Sequence, residues 1–256
     1  MAVIPANERF SIGRVISLTA NLTVRNIFIF APLAVGICAP LCLITILWNR
    51  YWFLWMRSPW GRFVDTSLVG DSLPFVTSLT LSAALAPFVM RRLGQPERHQ
   101  KTHGKFLHFV LTTLIFTAAN TLFIALFTLG HRESNLLLRL PVLAIIVLFW
   151  VTIPVAIVER KPPIDAFARS VALTRRKFFS CFTLIGGSAA VFWLSISAMT
   201  AIFDPNSRHD TPVVVLAWAM LTGYFLVSSV MAIIAYHLLR IDRDGLATGD
   251  IGDVFD

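Results

Sequence analysis

Charge is scarce in this sequence. Only 14% of its 256 residues are Asp, Glu, Lys or Arg, against 56% hydrophobic residues and a mean hydropathy of +0.73, where ordinary soluble domains carry about a quarter charged residues. That balance excludes a water-soluble globular domain as the main content of the chain. Cysteine is scarcer still: Cys38, Cys42 and Cys181 all sit inside apolar runs without a CxxC pair, which excludes a disulfide framework and a zinc-finger spacing. Cys38 and Cys42 share a helix face, but with no His or carboxylate near them they read as packing residues. No HExxH, GxSxG or phosphate-loop pattern occurs. Glu97, His99 and His103 have a metal-compatible spacing, yet Arg98, Lys101 and Lys105 crowd the same loop and disfavour a cation. Neither a metal, a cofactor nor an enzymatic activity is expected.

The apolar residues are gathered in long runs. A helix needs about 20 predominantly apolar residues to cross the hydrocarbon core. Six stretches without Asp, Glu, Lys or Arg meet or approach that length: 27–48, 73–90, 106–129, 141–158, 178–203 and 212–236. The first starts too late and runs too long for a cleaved signal peptide. The expected fold is therefore all-α, a polytopic membrane helix bundle of six transmembrane helices in a single membrane domain, 1–256. The run 73–90 is the shortest, carries Pro74 and Pro87, and follows Asp71 in a polar stretch, so a re-entrant segment is the alternative there.

The distribution of basic residues orients the bundle. With six spans, 16 of the 22 Lys and Arg residues fall in segments that share a side with the N-terminus, and 6 fall on the other side. Basic residues in short loops collect on the cytoplasmic side, so both termini are expected in the cytoplasm and the protein in a bacterial inner membrane. The formal net charge of +8 then belongs to topology and to anionic lipid headgroups. No basic stripe with interleaved stacking aromatics lies in a polar domain, so nucleic acid is not an expected partner.

Two segments outside the spans have helical periodicity. In 10–25, Ile12, Val15, Ile16 and Leu22 fall on one face, and Arg14, Ser17, Asn21 and Arg25 on the other. In 163–176, after Pro162 and Pro163, Ile164, Phe167, Ala168 and Val171 make an apolar face, with Asp165, Arg169 and Arg176 opposite. Both are expected as amphipathic helices in the cytoplasmic headgroup plane. They share a phrase, Arg14-Val-Ile-Ser-Leu-Thr19 against Arg169-Ser-Val-Ala-Leu-Thr174, which reads as a reused element. On the outer side, Trp48 to Phe63 holds seven aromatics around three arginines, an interfacial belt, with a surface helix expected there.

Intramembrane polar groups are few. Asn120 is the one amide near the middle of a span, and its side chain needs a partner across helices or on a substrate. Asp71 borders the second run. Gly186 and Ala190 have the small-xxx-small spacing that suits close helix approach. His108 and His237 sit near span ends, where an imidazole reaches the interface. The most concentrated group is Glu159 and Arg160 at the inner end of the fourth run, followed by Arg169, Arg175, Arg176 and Lys177. Together with Arg14 and Arg25 these residues are the candidates for a lipid headgroup or a protein partner. Local pairing of Glu159 with a base, the other cations facing lipid, is the simpler reading.

Pro154-Val-Ala-Ile-Val-Glu-Arg160 and Ala166-Phe-Ala-Arg-Ser-Val-Ala-Leu-Thr174, with Phe10-Ser-Ile-Gly13, Asn26, Tyr236-His-Leu-Leu-Arg240, Asp244-Gly245 and Val254-Phe-Asp256 near the ends, resemble phrases of a bacterial membrane-protein family. That family includes the membrane domain attached to some glycerophosphoryl diester phosphodiesterases, and stand-alone relatives. The resemblance implies a multi-helix membrane module with an amphipathic helix on the cytoplasmic side. It implies no phosphodiesterase activity, because the catalytic acids of the fused enzymes belong to a separate soluble barrel.

The expected role is a non-enzymatic membrane module that recruits a membrane or cytoplasmic partner or organises anionic lipid. The alternative is a transporter or lipid-handling protein with a pathway between spans, for which Asn120, Asp71 and Glu159 are the polar candidates.

Overall fold

A computed structural model describes residues 10–56, 66–93, 144, 146–159, 161–202 and 211–244, with backbone alone at 41–42, 44–56, 66–77, 79, 193, 199–202 and 211–214. The expected span 106–129 with Asn120, the loop holding Glu97, His99 and His103, the segment 57–65, His108 and Arg160 lie outside the described residues. The described residues form helices and no strand: α1 (Ile12–Arg25), α2 (Ile27–Met56), α3 (Thr66–Arg92), α4 (Thr152–Val158), α5 (Pro163–Thr174), a 3-10 turn (Arg175–Lys177), α6 (Phe178–Ile202) and α7 (Thr211–Asp244).

Each boundary has a local cause. Ser11 caps α1, its hydroxyl accepting from the Arg14 N–H at 3.4 Å. Asn26 ends α1 and begins α2 at once: its amide Nδ2 donates to the Leu22 carbonyl at 2.9 Å, and its own carbonyl accepts from Ile29 and Phe30, both at 2.9 Å. The two helices meet there at 89°. Pro162 and Pro163 open α5, where a missing N–H costs nothing. α5, the 3-10 turn and most of α6 then form one helical run, Pro163–Ala198.

Two described helices are long and apolar enough to cross a membrane, Pro163–Ala198 and Val215–Asp244. A third qualifies if the bent pair Ile12–Arg25 and Ile27–Pro40 is one span. Ile146–Val158, shorter and apolar, covers the C-terminal part of the expected fourth run. α3 runs unbroken through Pro74 and Pro87, so the expected segment 73–90 lies inside one continuous helix instead of a re-entrant pair. The backbone of 48–56 continues α2, where a separate outer surface helix was expected. The second amphipathic segment also departs from expectation: it runs on into α6, whereas only α1 turns across the helix after it.

Three hydroxyls on α6 and α7 bond the preceding turn of their own helix. Thr183 donates to the Phe179 carbonyl at 2.8 Å, Ser195 to Val191 at 2.8 Å and Thr222 to Trp218 at 2.7 Å. In lipid no water can take that role, so a side chain that bonds the preceding turn removes its own desolvation cost.

α7 is the axis of the bundle and touches every other described helix, α3 most extensively. Eleven consecutive residues, Ser229 to Leu239, are buried on all sides. Ser82 of α3 donates to Ser229 of α7 at 2.9 Å, an interhelical bond worth about 0.6 kcal/mol in a membrane interior. Phe192 of α6 stacks on Tyr224 of α7, centroids 4.4 Å apart, while Lys177 reaches Asp242 at 3.6 Å. Those two contacts make α6 and α7 an antiparallel pair. α6 is peripheral, with Phe179, Val191 and Leu194 exposed. Apart from the adjoining backbone of its own helix and its chain neighbours, no described atom lies within 4 Å of where a Cβ would stand on Gly186, and Ala190 is exposed. The close approach expected at these two residues is not made among the described ones.

Candidate functional site

Glu159 after α4, Lys161, Arg169 of α5, and Arg240 and Asp244 of α7 converge where α7 ends. Glu159 comes directly after the last turn of α4, its N–H donating to the Val155 carbonyl at 2.9 Å, so the backbone there is still helical and the carboxylate projects from the helix end. Its Oε1 accepts from Arg169 Nε at 3.2 Å and from the Tyr236 hydroxyl at 3.2 Å, and its Oε2 pairs with Lys161 Nζ at 3.2 Å. Arg169 extends its other arm to Asp244, and Arg240, one turn before Asp244 on α7, stands 3.9 Å from the same Oδ2. Lys177 and Asp242 close a second tie between the 3-10 turn and α7.

This network is half sheltered: the Glu159, Arg169 and Asp244 side chains are 11%, 19% and 26% exposed. At such burial an unpaired carboxylate is costly, and each acid here meets at least one cation. Arg169 suits the central place because its planar fork can serve two carboxylates at once, which an ammonium does less specifically.

α5 is held in register from its other side. The helix before α4 breaks at Trp150 and Val151, and the Leu148 carbonyl accepts instead from Ser170 at 2.8 Å and Thr174 at 3.3 Å. Phe149 and Phe167 meet edge to face, centroids 4.9 Å apart. The buried face of α5 is thus Ala166, Ser170, Leu173 and Thr174, not the Ile164, Phe167, Ala168 and Val171 face that the hydrophobic pattern nominates. Ile164 is 79% exposed.

The residues nominated by the sequence divide into three groups. Glu159 and Arg169 come together, each consumed by an opposite charge. Arg175, Arg176 and Arg25 are exposed, and Arg14 is half-buried on α1. Arg160 and Asn120 lie outside the described residues, and Asp71 falls on α3 where only backbone is described. Tyr236, Asp244, Asp242 and Lys161 were not nominated individually. Their one signal in the sequence was membership of, or closeness to, the phrases around 154–160 and 236–245.

Among the described residues, Arg25, Arg91, Arg92, Arg175, Arg176 and Arg243 are exposed and enter none of the ion pairs, and Asp165 is the one exposed acid outside them. Cations therefore remain in excess after the network has formed. No group of three or more metal-ligating side chains occurs among the described residues. No family model matches the chain, and no curated protein or solved structure is similar to it.

Proposed function

We propose that the chain is a six-span protein of a bacterial inner membrane, both termini cytoplasmic, acting as a non-enzymatic module whose basic inner face organises anionic lipid or recruits a partner. The excess of exposed arginines over exposed acids carries this reading. Near an anionic leaflet each such residue contributes about 1 kcal/mol of attraction. The paired network supports it from the other direction, because an acid already bound to Lys161, Arg169 and Tyr236 is a structural tie and a poor carrier of protons or ions.

The resemblance to the phosphodiesterase-associated membrane domain belongs to the same proposal. The shared phrases fall at working points of the fold: Ser11 at the cap of α1, Asn26 at the corner, and Glu159, Arg169, Tyr236 and Asp244 in the network.

The test is the lipid and protein content of the chain purified from native membranes after mild crosslinking. Replacing Arg25, Arg175 and Arg176 together with Gln lowers the co-purifying anionic phospholipid or removes a crosslinked partner. Unchanged lipid and partner content in that variant refutes the reading.

A further inference from the structure

α1 carries four strips of residues spaced by four, and each has a different environment. Val15, Thr19 and Thr23 form the first: Val15 and Thr19 are buried and Thr23 is half-buried. Arg14, Leu18 and Leu22 form a half-buried strip beside it. Ser17, Asn21 and Arg25 are exposed and polar. Between the buried strip and the polar one lies the fourth, Ile16, Ala20 and Val24, which is apolar and yet exposed, Ile16 by 53% and Val24 by 71%.

The corner at Asn26 gives that strip its place. Immediately beyond it α2 leaves at 89°, and its first residues Ile27, Phe28 and Ile29 are exposed, Phe28 by 90%. The apolar strip of α1 thus runs into the outward apolar surface of an apolar helix, with Arg25 exposed beside the junction. A helix lying across the start of a span, apolar along one edge and basic-polar along the next, fits one surroundings: the boundary between acyl chains and anionic headgroups.

We infer that α1 rests in the cytoplasmic leaflet of an anionic bilayer, with Ile16, Ala20 and Val24 in the acyl chains and Ser17, Asn21 and Arg25 toward headgroups and water. The inference rests on the membrane reading proposed above and adds which strip meets lipid. That strip shares only Ile16 with the face the hydrophobic pattern nominates, because Ile12, Val15 and Leu22 pack on the protein. Insertion of this kind reaches about 5–10 Å into the boundary.

The test places one fluorescent label at a time through Ile16→Cys, Val24→Cys, Asn21→Cys or Phe28→Cys, in the full chain with Cys38, Cys42 and Cys181 replaced by Ala. The protein is reconstituted in phosphatidylethanolamine and phosphatidylglycerol vesicles containing lipid brominated near the carbonyl or near the methyl end of the chains. Labels at 16 and 24 lose fluorescence mainly to bromines near the carbonyl end and are protected from aqueous iodide; the label at 21 is quenched by iodide. Iodide quenching at 16 and 24 equal to that at 21 overturns the inference. Shielding of 16 and 24 from both quenchers also overturns it, because protein then covers the strip. The label at 28 separates the two readings: if bromine quenches it while 16 and 24 fail, only this inference falls, and if it too is untouched by lipid, the membrane reading falls with it.

Discussion

The phrase at Arg14–Thr19 and its counterpart at Arg169–Thr174 begin alike in three dimensions and then part. In both, the second and sixth positions are buried, Val15 with Thr19 and Ser170 with Thr174. In both, the threonine hydroxyl bonds the carbonyl four residues back, at 2.6 Å for Thr19 and 2.9 Å for Thr174. After the threonine the first copy reaches Asn26 and turns through 89°, while the second passes through Arg175–Lys177 and continues as helix into α6. The arginine that opens each phrase is placed differently as well. Arg169 reaches across to Glu159 and Asp244 on other elements, whereas Arg14 lies half-buried in a strip with Leu18 and Leu22 of its own helix. A shared local phrase thus sets which face is buried and where the threonine bonds. The residues after the phrase set the direction of the chain.

The largest effect that would sharpen this contrast comes from Arg169→Ala. It leaves Glu159 and Asp244 short of a partner and lowers stability by about 2–3 kcal/mol, below the ~3–5 of a fully buried pair because these groups are partly exposed. Thermal unfolding in detergent measures it. Arg169→Lys recovers only part of the loss, since one ammonium cannot serve both acids as the fork does.

Next is Asn26→Ala, which removes the side-chain bond to the Leu22 carbonyl at the corner. A loss of about 1 kcal/mol is expected, together with a wider spread of distances between spin labels placed on α1 and α2. A distance distribution as narrow as in the parent would mean that packing on α7, and not Asn26, makes the corner.

The two threonines compare the copies directly. Thr174→Val costs about 1 kcal/mol, because the Leu148 carbonyl loses one of its two side-chain donors, and Thr19→Val costs no more than about 0.5 because its hydroxyl bonds only its own helix. Equal losses in thermal unfolding would break the distinction between them. The smallest effect belongs to Asp165→Ala: the acid is exposed and stands apart from the network around Arg169, so the melting temperature changes by an amount corresponding to less than about 0.5 kcal/mol.

Part of this architecture was legible in the residue pattern: the described residues are helical, and two or three of their helices, against six expected spans, are long and apolar enough to cross a membrane. The starts of α1, α2, α5 and α6 fall within two residues of the periodicity and hydropathy boundaries, because capping and apolar run length are properties of neighbouring residues. The candidate site was half legible. Glu159 and Arg169 were nominated by their crowding in sequence, and their pairing agrees with ordinary charge complementarity. Tyr236 and Asp244 were not, since they lie 77 residues from Glu159 and 75 from Arg169, and no local pattern connects such positions. The apolar faces of α1 and α5 were misassigned in part for the same reason. Hydrophobic periodicity marks residues that avoid water, and lipid and protein satisfy that requirement equally.

By itself the sequence determined that this chain is helical and bilayer-compatible, because long apolar stretches must close their own backbone hydrogen bonds where no water is present. It also determined where amphipathic helices begin. Tertiary structure alone decided that α7 is the axis, that Arg169 is spent on two acids, and which strip of α1 faces outward. Those outcomes depend on contacts between distant parts of the chain, whose energies are defined only once the helices are packed together.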